Sequence, residues 1–173
     1  CGAAEAAGAD PVVILLGDNP LVHASLIDDV VEFFHQGAFE YAATVTNEYP
    51  YADRALNRFP IGVRVQAVSA SALARCQRRA VGREVREHAT AYIAQHPDEF
   101  RIGYYQAEGR WAALHRPELN FAVNYPQNFE LVSELFERGH RVDPNVGLQT
   151  AMEVFDSTPA LHHLMGAPDV VRA

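Results

Sequence analysis

The chain has 173 residues, of which 49% are hydrophobic and 21% charged, a balance typical of one folded globular domain. Its formal net charge of −8 argues against non-specific binding to nucleic acid or to an anionic membrane surface. All 14 basic residues are arginine, which excludes a lysine Schiff base and a lysine phosphate clamp within this chain.

The first stretch, Cys1–Ala9, is rich in alanine and reads as the end of a helix, so we expect the chain to be incomplete at its N-terminus. The apolar run that follows, within Pro11–Leu16, predicts a strand buried on both faces. Gly17-Asp18-Asn19-Pro20 ends that strand, because these residues favour turns. One carboxylate, Asp18, is therefore expected at the carboxyl end of a strand, where open α/β sheets bind ligands.

The remaining elements alternate between helices and strands, which predicts one α/β domain with a mixed sheet. The predicted strands have aromatic, β-branched or alternating residues and cover Phe39–Thr46, Val63–Val68, Glu99–Gln106 and Leu119–Val123. The predicted helices cover Ser25–Phe34 with Ser25 as N-cap, Ser69–Ala80 with a serine cap, Arg83–Ala94, Phe129–Phe136 with Pro126 in the first turn, Val146–Phe155 and Pro159–Leu164.

Three sets of polar residues are candidates for chemistry, and each has a structural alternative. Asp18 suits a Mg²⁺ ligand, since Mg²⁺ is often held by one or two carboxylates plus substrate phosphates, but aspartate is also an ordinary turn residue. Asn124 could be a second ligand, although Asn124-x-x-Gln127 also fits a capping box. Glu87 and His88 could contact a substrate or lie on a solvated helix face.

Other classes of site find no support in the sequence. Two cysteines make neither a disulfide framework nor a metal cluster, and the histidines lack the spacing of a zinc site. No apolar run reaches the length of a membrane span and no signal peptide is visible, so we expect a cytoplasmic protein that does not bind membranes.

Four segments, in the same order, resemble one family. Gly17-Asp18-Asn19-Pro20-Leu21 resembles the G-D-x-P-L segment of cytidylyltransferases of the spore-coat polysaccharide biosynthesis type, which are related to the synthetases of CMP-activated sugar acids. The other three segments are similar to F-P-D-G-x-x-V-E, R-E-H-V-T-x-Y-I and V-D-T-P-E-D-L of that type, and they lie at 59–66, 86–93 and 123–129.

This resemblance implies a three-layer Rossmann-like nucleotidyltransferase fold with a mixed, mostly parallel sheet that is incomplete at the N-terminus. Residues 1–139 would form the C-terminal two-thirds of that domain, and residues 140–173 a helical tail. The implied reaction transfers CMP from CTP to a sugar in surface-polysaccharide or glycoconjugate biosynthesis, and a homodimer is one implied assembly. Asp18 takes the catalytic metal role with Asn124 as partner ligand of Mg²⁺, and the implied substrate-binding residues are Gly17, Asn19, Pro20, Gly62, Gln66, Glu87 and His88.

The chain departs from the family pattern at five acidic positions, which have become neutral: Ile61, Gln66, Asn124, Gln127 and Asn128. An asparagine oxygen can still coordinate a cation, but it brings no charge, so the nucleotide phosphates would supply most of the anionic ligands. A relative that binds a nucleotide or sugar without catalysis is therefore an alternative. A glycosyltransferase is a weaker one, because no D-x-D motif surrounds Asp18.

Overall fold

The computed structural model describes residues 2–48, 52–82, 85 and 90–165. Half of the predicted helix Arg83–Ala94, including Glu87 and His88, lies outside these residues.

The described residues form four short strands and several helices. The strands are β1 Val12–Leu15, β2 Tyr41–Thr44, β3 Val65–Val68 and β4 Ile102–Tyr105. The α-helices are α1 Gly2–Ala7, α2 Ala24–Gln36, α3 Ala70–Arg79, α4 Ala91–Gln95, α5 Pro126–Gly139 and α6 Leu148–Ser157, with 3₁₀ turns at Pro97–Glu99, Gly109–Leu114 and Pro159–Leu164.

The chain divides into two compact units. The first consists of Cys1–Ile14, Ile27–Ala43 and Val65–Tyr105, and the second of Leu15–Leu26, Thr44–Arg64 and Gln106–Ala173. Both units are built from separate parts of the sequence, so each depends on long-range contacts rather than on one continuous stretch.

The sheet gives the first unit its framework. Its strand order is β1-β3-β2-β4, and β2 pairs with β3 in antiparallel register, with Tyr41 opposite Val68 and Ala43 opposite Gln66. All residues of β2 and β3 are buried, as expected for central strands. The predicted α/β class is confirmed, and the antiparallel pair accounts for the mixed character of the sheet.

Strand β1 differs from its prediction. Val13 is 36% and Leu15 48% exposed, whereas Val12 and Ile14 are half-buried. The expectation of a strand buried on both faces is therefore wrong. β1 lies at the end of the strand order, and one of its faces is uncovered among the described residues.

In the second unit, α5 and α6 pack around an aromatic core. Leu131 and Leu135 of α5 are fully buried, and the rings of Phe121 and Phe155 meet edge to face at 5.8 Å. The predicted strand Leu119–Val123 is reduced to one parallel bridge between Ile61 and Asn120.

Helix starts follow the sequence in two cases and differ in one. Ser69 caps α3 by accepting the N–H of Ala72, and Pro126 opens α5, as predicted. Helix α2 instead begins at Ala24, where the imidazole Nδ1 of His23 accepts the N–H of Ser25 at 3.2 Å, so Ser25 is not the cap. No helix in the described part of the chain has the length and apolar character needed to cross a lipid bilayer.

Candidate functional site

The Asp18 turn follows directly on β1, as the sequence predicts. The N–H of Asn19 donates to the carbonyl of Leu16 at 3.1 Å, which closes a tight turn through Gly17 and Asp18. Gly17 and Pro20 are exposed, whereas Asp18 is half-buried. The turn thus places a carboxylate near the surface on a backbone that is fixed by a hydrogen bond.

Asn19 ties this turn to the segment that precedes β3. Its Oδ1 accepts the N–H of Arg64 at 2.9 Å, and its Nδ2 donates to Oδ1 of Asp18 at 2.9 Å. The side chain is buried, with 5% exposed. Both polar atoms of the amide are therefore engaged inside the protein.

A second backbone hydrogen bond brings the turn before α5 to the Asp18 turn. The N–H of Val123 donates to the carbonyl of Asp18 at 2.9 Å. Asn124 is the next residue in the chain after this contact. The two residues predicted to share a metal thus lie on adjoining turns of the second unit. The Asn124 side chain is exposed and forms no hydrogen bond with the described residues.

Gly62 permits the close approach of two segments behind these turns. The N–H of Ile61 donates to the carbonyl of Leu119 at 2.9 Å, and the carbonyl of Ile61 accepts the N–H of Phe121 at 2.8 Å. A Cβ on Gly62 would lie 2.3 Å from the backbone nitrogen of Ala122, and its φ of +89° is in the left-handed region. Glycine is thus required here by the packing of the chain on itself.

The capping interpretation of Asn124 is wrong by one residue. Tyr125 is the N-cap of α5, and its N–H donates to Oδ1 of Asn128 at 3.1 Å. A side chain at the third helical position that bonds back to the cap N–H is half of a capping box. This arrangement leaves the Asn124 amide outside the helix start.

The structure separates the five neutral positions into buried and exposed ones. Ile61 is in the core, Gln66 accepts the hydroxyl of Thr90 at 3.2 Å in the first unit, and Asn128 accepts the N–H of Tyr125 at the start of α5. Asn124 and Gln127 are exposed. At three of the five positions the neutral residue therefore has a packing or hydrogen-bonding role.

Arg58 is a buried residue of the second unit that the sequence patterns did not single out. It is 8% exposed, and its guanidinium donates to the carbonyls of Thr46, Ala52 and Asp53 at 2.6, 2.9 and 3.1 Å. These bonds join Thr46, Ala52 and Asp53, which all lie between β2 and β3. The sequence gives no periodic signal for such a residue, because its partners are loop carbonyls.

The oxygen donors of the two turns suit Mg²⁺, which prefers hard oxygen ligands. Within the described ranges, no group of three or more histidine, cysteine, aspartate or glutamate residues is placed to hold a metal ion. The carboxylate of Asp18 and the amide oxygen of Asn124 are hard oxygen donors on adjoining turns, and Mg²⁺ in nucleotide sites commonly takes one or two protein ligands and leaves the rest to phosphates and water. The residues present fit a cation of that kind when it arrives with a nucleotide.

The comparison with solved structures decides the fold. A cytidylyltransferase from Leptospira borgpetersenii serovar Hardjo-bovis superimposes with a TM-score of 0.76 over 95% of this chain and 63% of its own, at 17% identity. The chain has the fold of a cytidylyltransferase. The Rossmann-like nucleotidyltransferase fold expected from the sequence is thereby confirmed.

Sequence relatives agree with this fold. The chain is 28% identical to the spore coat polysaccharide biosynthesis protein SpsF of Bacillus subtilis over 142 residues, which is 80% of this chain and 52% of that protein. It is also 24% identical over 155 residues to an uncharacterized protein of Methanocaldococcus jannaschii, covering 90% of this chain and 57% of the relative. The chain therefore spans about half the length of these relatives, and no family model matches it. The resemblance to cytidylyltransferases of the spore-coat type is confirmed.

Proposed function

We propose that this chain forms part of a nucleotidyltransferase that transfers CMP from CTP to a sugar in polysaccharide biosynthesis. In the proposed reaction a sugar hydroxyl oxygen bonds to the α-phosphorus of CTP, the bond to the leaving pyrophosphate breaks, and the hydroxyl proton is released. The cytidylyltransferase fold and the similarity to SpsF support CTP and a sugar as substrates.

The proposal rests on the contact between the Asp18 turn and the turn that precedes α5. The Asp18 carboxylate follows β1, and the hydrogen bond from Val123 to the Asp18 carbonyl brings Asn124 alongside. In the proposed enzyme Asp18 and Asn124 would hold Mg²⁺. The ion, when bound with the nucleotide, would offset the charge on the phosphates.

The other residues would shape and bind the substrates. Gly17 and Pro20 are exposed at the Asp18 turn, where a ligand can approach the backbone, and Gly62 maintains the close packing behind it. The family resemblance adds three further residues to the proposed substrate-binding set: Gln66, Glu87 and His88.

The test is pyrophosphate release by the full-length protein with CTP, Mg²⁺ and a panel of sugars and sugar acids. The proposal predicts turnover with at least one acceptor and none without Mg²⁺. Replacement of CTP by ATP, GTP or UTP should lower the rate, which tests the choice of base. No turnover with any combination, together with nucleotide binding that does not respond to Mg²⁺, would contradict the proposal.

A second candidate is a relative that has kept nucleotide binding and lost catalysis. The observation in its favour is that Ile61 and Asn128 have taken structural roles where the family pattern has acids. This candidate predicts binding of CTP in calorimetry without pyrophosphate release. The same two measurements therefore separate the two functions.

A further inference from the structure

Asn19 is buried in a turn whose neighbours reach the surface. Gly17 and Pro20 are exposed and Asp18 is half-buried, yet Asn19 is only 5% exposed. Burial of an amide is unfavourable unless its donor and acceptor are both satisfied. The two hydrogen bonds of Asn19 meet that requirement, and they determine what the side chain does.

The orientation of the Asn19 amide follows from one of its partners. The backbone N–H of Arg64 can only donate, so the amide atom 2.9 Å from it must be the oxygen. The nitrogen is then on the side of Asp18, where it donates to Oδ1 of the carboxylate at 2.9 Å. The reverse orientation would set two donors against each other at Arg64 and two acceptors against each other at Asp18.

The Asn19 amide is hydrogen-bonded to a backbone segment that is itself held in place by other contacts. Arg64 lies two residues after Gly62, and a Cβ on Gly62 would meet the backbone of Ala122. Ile61 is hydrogen-bonded on both sides to Leu119 and Phe121. A donor fixed to this segment restricts the rotation of the Asp18 carboxylate and occupies one of its oxygens. The second oxygen forms no hydrogen bond with the described residues and remains available to a ligand.

We propose that Asn19 is a positioning residue that holds the Asp18 carboxylate in the orientation needed to bind a divalent cation. This inference rests on the proposed function, because it takes Asp18 to be the metal ligand. Partners that orient a ligand in this way commonly change metal affinity by about 10-fold to 100-fold when they are removed. The proposal assigns Asn19 a role through Asp18 rather than a contact with the substrate.

The chain offers a matched control in Asn120. This asparagine is also buried in the second unit, with 4% exposed, and its Oδ1 accepts the backbone N–H of Ala122 at 3.0 Å. Leucine has the same branching pattern as asparagine, and replacement of either residue by leucine removes a buried amide and its bond to a backbone N–H. Only Asn19→Leu also removes the donor to Asp18.

The experiment measures Mn²⁺ binding to the full-length protein in the presence of CTP by electron paramagnetic resonance, at a temperature well below the unfolding midpoint of each variant. We expect Asn19→Leu to weaken Mn²⁺ binding about 10-fold or more and Asn120→Leu to change it by less than about threefold. Unfolding midpoints should fall in both. If Asn19→Leu does not fold, Asn19→Ala with Asn120→Ala replaces the pair and carries the same expectation.

The possible outcomes separate this inference from the proposed function. If the wild-type protein binds Mn²⁺ with CTP and Asn19→Leu binds it equally well, the positioning role is refuted and the proposed function is untouched. Equal losses in the Asn19 and Asn120 variants would also refute it, because general destabilisation would then explain them. Absence of Mn²⁺ binding by the wild-type protein would contradict the proposed function itself, and the inference with it.

Discussion

A methyl group at Gly62 should disrupt the packing behind the candidate site. The Cβ of Gly62→Ala would lie 2.3 Å from the backbone nitrogen of Ala122 and 2.5 Å from the carbonyl carbon of Phe121. Both contacts are with backbone, so they cannot be relieved by rotation of a side chain. The segment Ile61–Arg64 must move away from 121–122, which strains the two hydrogen bonds of Ile61.

Two terms contribute to the cost of this substitution. Gly62 has φ of +89°, in the left-handed region. A non-glycine residue in this region lowers the free energy of unfolding by about 1–2 kcal/mol. Overpacking against a rigid neighbour adds about 1–3 kcal/mol. We expect Gly62→Ala to lower the free energy of unfolding by about 3 kcal/mol.

Two other glycines isolate these terms. Gly109 has φ of +55° but no atom within 4 Å of its Cβ position, so Gly109→Ala should show the backbone term alone, about 1 kcal/mol. Gly17 has neither feature, and Gly17→Ala should be neutral or slightly stabilising. Urea unfolding can be followed by the fluorescence of Trp111, the single tryptophan, which is buried in the same unit. A cost for Gly62→Ala no larger than that for Gly109→Ala would refute the reasoning.

Three further predictions concern stability. Arg58→Met should lower the free energy of unfolding by about 2–4 kcal/mol, measured by urea unfolding, because it removes the donor to three loop carbonyls, two of which are buried. Unchanged stability would show that water replaces the guanidinium. The hydrogen bond from Arg75 at 2.6 Å lowers the pKa of Glu40, so this pair stabilises the fold at neutral pH and its contribution is lost as the pH falls below about 4.3. Glu40→Gln should remove that part of the acid sensitivity in thermal unfolding between pH 3 and 6, and a pH profile identical to wild type would contradict the assignment. Ser69→Ala should cost about 1 kcal/mol through loss of the α3 cap, and an unchanged unfolding midpoint would show that the cap contributes nothing.

The sequence predicts the elements whose signal is local. The buried positions Leu26, Val30 and Phe34 recur at helical spacing in α2, and Ser69 and Pro126 mark helix starts through their own side chains. The Asp18 turn is similarly local, since glycine, asparagine and proline end the strand before it. These features lie where the patterns indicate.

The features that sequence reasoning missed depend on distant partners. An apolar run such as Val12–Leu15 reports hydrophobicity, but whether one or both of its faces are covered depends on other parts of the fold. The buried amide of Asn19 accepts the N–H of Arg64, which lies 45 residues further along the chain. Arg58 finds its partners among loop carbonyls, which leave no pattern in the sequence.

Caps were wrong by one or two residues for a related reason. Ser25 and Asn124 have suitable side chains, but α2 is preceded by His23 and the N-cap of α5 is Tyr125. The choice among neighbouring polar residues is set by the path on which the chain enters the helix, which the residue types alone do not determine.

In the proposed enzyme the Asp18 and Asn124 turns form one cation site. The most direct test of this site is the Mg²⁺ dependence of pyrophosphate release in the full-length protein, compared among wild type, Asp18→Asn and Asn124→Asp. We predict that Asp18→Asn abolishes turnover and that Asn124→Asp, which adds a second carboxylate on the adjoining turn, lowers the Mg²⁺ concentration needed for half-maximal rate. An active Asp18→Asn protein, or an Asn124→Asp protein with an unchanged Mg²⁺ requirement, would contradict the claim.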